Sequence, residues 1–155
     1  MRNLWLHWSL SSILLAVSGI LLVCVGFYFL FLRPPLLPED IRYVSFTPAE
    51  LQLVGSRLES WLTFVFRVMG GYIAATGVLA VTLATTAFRD RRPAAAIGVA
   101  LAGGLSIGWM AAVNFMIHSD YKWVLLGMAL VWVASLAAYV REAIIPVKDH
   151  NRAAA

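Results

Sequence analysis

Residues 61–88 read WLTFVFRVMGGYIAATGVLAVTLATTAF, an apolar run broken by one charge, Arg67, and free of proline. About 20 such residues in a helix cross the roughly 30 Å hydrocarbon core of a bilayer, and this run exceeds that length. Three further stretches repeat the pattern: Ser9 to Leu32, Pro93 to Ile117, and Tyr121 to Val140. The composition agrees. Of 155 residues, 61% are hydrophobic and 13% charged, about half the charged share of a soluble domain. The chain therefore reads as an all-α, polytopic membrane protein with one domain over residues 1–155, built as a four-helix transmembrane bundle.

Four spans place both termini on one side. Seven cations sit on that side, Arg2, Arg89, Arg91, Arg92, Arg141, Lys148 and Arg152; four sit on the other, Arg33, Arg42, Arg57 and Lys122. Lys and Arg resist translocation, so the expectation is a multi-pass membrane protein with both termini cytoplasmic and residues 33–60 facing the exterior or periplasm. The first run continues well past Ala16-Val17-Ser18, which makes it a retained helix rather than a cleaved leader.

The outer loop opens with Arg33-Pro34-Pro35-Leu36-Leu37-Pro38, whose prolines enforce an extended path. Thr47-Pro48-Ala49-Glu50 then matches a capping box with proline at the first helical position. Leu51, Val54, Leu58, Trp61 and Leu62 follow at helical spacing. This predicts an amphipathic helix lying at the outer interface and turning near Gly55 into the second span, or alternatively one long helix protruding from the membrane.

Gly70, Gly71, Ala74, Ala75 and Gly77 in the second span, and Gly98, Ala102, Gly103, Gly104 and Gly108 in the third, supply small residues of the kind that let helices approach closely in lipid. The expectation is tight packing of the second span on the third, with Gly104-x-x-x-Gly108 as an alternative homodimer contact.

Few residues carry chemistry. Arg67 lies six residues past Trp61, about 9 Å along the helix, where a cation serves either as a snorkelling anchor or as the wall of a polar cavity. Asn114 and His118, four apart on one helix face, and Asp120 in the following turn lie on the same side. Arg67, Asn114, His118 and Asp120 form the candidate ligand-binding pocket, with Asp120, Glu39 and Asp40 available as carboxylate partners for Arg67; a solvated inter-helix turn is the plainer reading of His118 to Asp120. The single Cys24 excludes an intramolecular disulfide, and one histidine on that side is too few for a metal centre. His7 and His150 stand at the opposite face, which argues against haem. Phosphate-loop and dinucleotide motifs are missing and the cations form no stripe, so no cofactor, no metal and no nucleic acid are expected.

The phrase Phe66-Arg67-Val68-Met69-Gly70-Gly71 through Gly77, the Arg-rich turn Arg89 to Arg92, the glycine-rich third span to Gly108 and the turn at Asp120 together resemble the DoxX-like group of small bacterial four-helix membrane proteins, over about residues 61–140. The resemblance implies an inner-membrane bundle, in some relatives linked to oxidoreductase or quinone-associated systems; it adds no catalytic residue and draws attention to Arg67. The preferred expectation is a non-enzymatic membrane protein that binds a lipophilic molecule such as a quinone, or an accessory subunit of a membrane complex. The alternatives are a small membrane enzyme or redox component using His118 and Asp120, and an oligomeric transporter. Membrane lipids, a lipophilic ligand, and a second copy or complex partner are the expected associates.

Overall fold

The computed structural model describes residues 8–45 and 47–144, with the backbone but not the side chains of Pro48, Ala49 and residues 51–56. Four helices in it are long and apolar enough to cross a membrane: α1 (Leu10–Leu32), the Arg57–Thr85 part of α3, α4 (Pro93–Met116) and α5 (Lys122–Ile144). The protein is an all-α polytopic bundle, with no strand among the described residues. Each start has a local cause. Ser9 caps α1 by accepting from the Ser12 amide, and Pro93 occupies the first turn of α4, where a missing N–H costs nothing.

The 33–60 connection holds two elements. A short helix, α2 (Pro38–Val44), begins on a proline and stops at Ser45, whose φ of 58° is left-handed. Then α3 (Pro48–Thr85) starts on Thr47 and continues without a break for 38 residues, about 57 Å. The turn expected near Gly55 is therefore absent, and one continuous helix takes its place, as the long-helix alternative requires. A glycine inside a helix costs only about 1 kcal/mol relative to alanine, and no proline stands between Pro48 and Pro93 to interrupt the ladder. The apolar stripe through Leu51 and Val54 falls on side chains outside the described set.

Packing differs from the sequence expectation. It is α1, not α4, that lies closely along α3; α1 also packs on α5, α5 on α4, and α3 barely touches α4. The reason is a matched pair of glycine seams. Gly19 and Gly26 on α1 face Gly77, Ala74 and Gly70 on antiparallel α3, each pair of glycines seven residues apart. A Cβ at Gly26 would lie 2.5 Å from the Ala74 nitrogen, and one at Gly77 would lie 2.5 Å from the Gly19 carbonyl oxygen. Backbones at that separation exclude any larger residue. Gly98 and Gly104 on α4 meet nothing, so the Gly104-x-x-x-Gly108 spacing is not used inside the chain; Gly103 instead seats the indole of Trp132, whose Nε1 donates to the Val99 carbonyl at 3.0 Å and ties α5 to α4.

At the end of the bundle near Ser11 a second device joins three segments. Glu142 on α5 accepts from the Ser11 amide at 3.2 Å, from the Ser11 hydroxyl at 2.7 Å, and from the Arg91 guanidinium. Arg91 adopts φ 58° in the turn before α4, also donates to the Tyr139 carbonyl, and stands over the Tyr139 ring, which packs on buried Phe88.

Candidate functional site, a roofed cavity between the helices

Because α3 and α4 scarcely meet, a gap remains between them, and it is a cavity of about 850 Å³. Its walls are α1 from Leu22 to Phe29, α3 from Phe66 to Thr76, α4 from Leu105 to Val113, and α5 from Val124 to Met128. Nearly all of these side chains are apolar. Tyr72 on α3 and Leu105 and Trp109 on α4 line it and are exposed, so the cavity is open where α3 and α4 scarcely meet.

The end beside the 33–45 connection is polar. The Pro-rich linker and the start of α2 cover it as a roof, bringing in Arg33, Glu39 and Asp40; Tyr28, Asn114, Ser119 and Tyr121 complete the polar lining. Arg33 is the best-buried cation in the site, its side chain 7% exposed. Its NH2 group reaches Asp40 at 2.9 Å, its NH1 group donates to the Pro34 and Pro35 carbonyls, and its face stacks on Phe66. Asp40 also accepts from the Leu37 amide at 2.9 Å, which caps the start of α2. Removing a charge from water is costly unless it is paired, and here the pair, the carbonyls and the ring together compensate.

Glu39 is 5% exposed and takes its hydrogen bond, among the described residues, from the Ser119 hydroxyl at 3.3 Å. Ser119 also receives the Tyr121 amide, which fixes the turn between α4 and α5. Asn114 donates its amide to the Met110 carbonyl at 2.8 Å, leaving its own carbonyl oxygen as an acceptor.

Of the four residues singled out from sequence, only Asn114 lines the cavity. Arg67 is exposed on α3, on a face turned away from it. His118 is exposed and left-handed, with φ 53°, where the chain leaves α4. Asp120 is exposed and binds Arg42 of α2 at 2.8 Å. The structure does not bring the four together. The sequence offers Glu39 and Asp40 as partners for Arg67; in the structure Asp40 holds Arg33 and Glu39 holds Ser119. The signal for this lay in the eight residues from Arg33 to Asp40, where a proline-started turn of helix folds an acid back onto the cation that precedes it. Comparisons of the chain with family models, with curated proteins and with solved structures find no match.

Proposed function

We propose that this protein binds a lipophilic molecule that enters the cavity sideways from the membrane. One observation carries the reading: a cavity of about 850 Å³, inside the range of roughly 300–1,000 Å³ usual for ligand pockets, with mostly apolar walls, a lateral opening and its charged groups at one end. Such a space matches an amphiphile, with its tail along α3 and α4 and its head under the roof. The exposed positions of His118 and Asp120 give an enzymatic reading no support.

The membrane is the bacterial cytoplasmic membrane in this reading, with the roof on the periplasmic side, as the seven-to-four distribution of Lys and Arg favours. The DoxX-like resemblance of residues 61–140 is compatible with it. Gentle solubilisation followed by native mass spectrometry tests the proposal. The expected result is a copurifying lipophilic species on the wild type that is lost from Ser106→Phe and Ile73→Trp, which fill the cavity from α4 and α3. Retention of the same species by both variants would overturn it.

A further inference from the structure

Resting on the cavity reading above, the geometry points to a head-group class: we infer that the roofed end takes an amphiphile whose head donates hydrogen bonds and carries no negative charge, a long-chain alcohol or amine rather than a carboxylate or phosphate. The argument is a count of what each polar group has left to offer. Arg33, the one cation lining the cavity among the described residues, directs NH1 to two carbonyls, NH2 to Asp40, and its face to Phe66. Its charge is balanced by Asp40 at 2.9 Å.

Glu39 stands apart from that balance. It lines the cavity, is almost wholly buried, and has the Ser119 hydroxyl as its donor among the described residues, whereas a carboxylate can accept at about four positions. Asn114 adds a carbonyl oxygen whose amide is already committed to Met110. With Arg33 and Asp40 cancelling in charge, Glu39 leaves the roof one net carboxylate, and the other described polar groups there, the Tyr28 and Tyr121 hydroxyls, the Ser119 hydroxyl and the Asn114 amide, are neutral. A bound anion would face that carboxylate, itself only 5% exposed, and like charges beside a buried group repel more strongly than in solution. A hydroxyl or ammonium instead offers donors to the remaining acceptor positions of Glu39 and Asn114, and charge-assisted bonds to a carboxylate are the stronger kind.

The test compares heads on one chain length. Radiolabelled dodecanol is bound to the full protein in maltoside micelles, with Ser106→Phe and Ile73→Trp as backgrounds, and displaced by unlabelled dodecylamine, dodecanol, dodecanoic acid or dodecyl phosphate. The expected outcome is displacement by the amine and the alcohol at concentrations at least about tenfold below those of the two anions, equivalent to about 1.4 kcal/mol. Glu39→Gln should remove the advantage of the amine over the alcohol. Label retained equally by the wild type and both filled variants, or by none of them, would overturn the cavity reading and this inference with it. Label specific to the wild type but displaced best by the acid or the phosphate would leave the cavity reading standing and overturn the head-group inference alone. The comparison among heads is made on the wild type and does not depend on the folding of Glu39→Gln.

Discussion

The guanidinium of Arg33 lies 3.4 Å from the centroid of the Phe66 ring while its NH2 group binds Asp40, so one side chain joins the end of α1, the start of α2 and α3. Charge and stacking act together there. Arg33→Leu should lower thermal stability by about 2 kcal/mol, below the 3–5 kcal/mol of fully buried pairs because Asp40 stays partly exposed and keeps its bond to the Leu37 amide. Arg33→Lys should recover only part of the loss, since an ammonium lacks the planar face and fork that the ring and the two carbonyls use. Equal melting temperatures for Arg33→Lys and the wild type would show that the stack contributes nothing.

The glycine seam yields a contrast between two similar substitutions. Gly26→Leu must push α1 away from the Ala74 backbone, at a cost above the roughly 1–3 kcal/mol of ordinary overpacking. Gly98→Ala on α4 meets nothing within 4 Å and should be neutral or stabilising by up to about 1 kcal/mol, the gain in helix propensity. Melting curves of the two variants in one detergent would check the pair, and a destabilised Gly98→Ala would contradict the packing described.

Hydropathy made the spans legible to within a few residues: Ser9 to Leu32 against Leu10–Leu32, and Pro93 to Ile117 against Pro93–Met116. The last helix runs past Val140 to Ile144, and Glu142 in that extension is paired with Arg91 and Ser11. Neighbour relations were not legible in the same way. Glycines in α3 and α4 look alike in sequence, and what selects α1 as the partner of α3 is the matching seven-residue spacing of Gly19 and Gly26, visible only when the two spans are compared. Arg67 drew attention because it interrupts an apolar run. Arg33 stands at a boundary where a cation is unremarkable, and its burial arises from α2 folding over it.

Glu50 connects pH to the start of α3. Hydrogen bonds from the Thr47 hydroxyl at 2.7 Å and the Thr47 amide at 2.8 Å hold its carboxyl below the usual glutamate range. A depressed value in the folded state means that the stabilisation is full above the ordinary glutamate range and lost as pH falls through the depressed one. The Thr47 amide resonance should therefore titrate at a lower pH than a free glutamate. Thr47→Ala should move that titration upward and Glu50→Gln should abolish it. An unshifted midpoint in the wild type would mean that the capping box does not persist in solution.

Arg67 and Asn114 should now separate in their effects. Arg67 is exposed and off the cavity, and a cation within a span costs roughly 2.5–3.5 kcal/mol on insertion scales near the centre, so Arg67→Leu removes an unfavourable group without uncovering a carboxylate. Melting temperature should be unchanged or higher, and the copurifying ligand should be retained. Asp120→Asn should be nearly as mild, because its bond to Arg42 is solvent-exposed and such pairs contribute about 0–1 kcal/mol. Asn114→Leu removes the acceptor that faces the cavity and leaves the Met110 carbonyl without its extra donor, so ligand retention should fall while the fold persists. Native mass spectrometry and melting curves on the three variants check this together. Ligand loss in Arg67→Leu with full retention in Asn114→Leu would move the binding site off the cavity and onto the exposed face of α3.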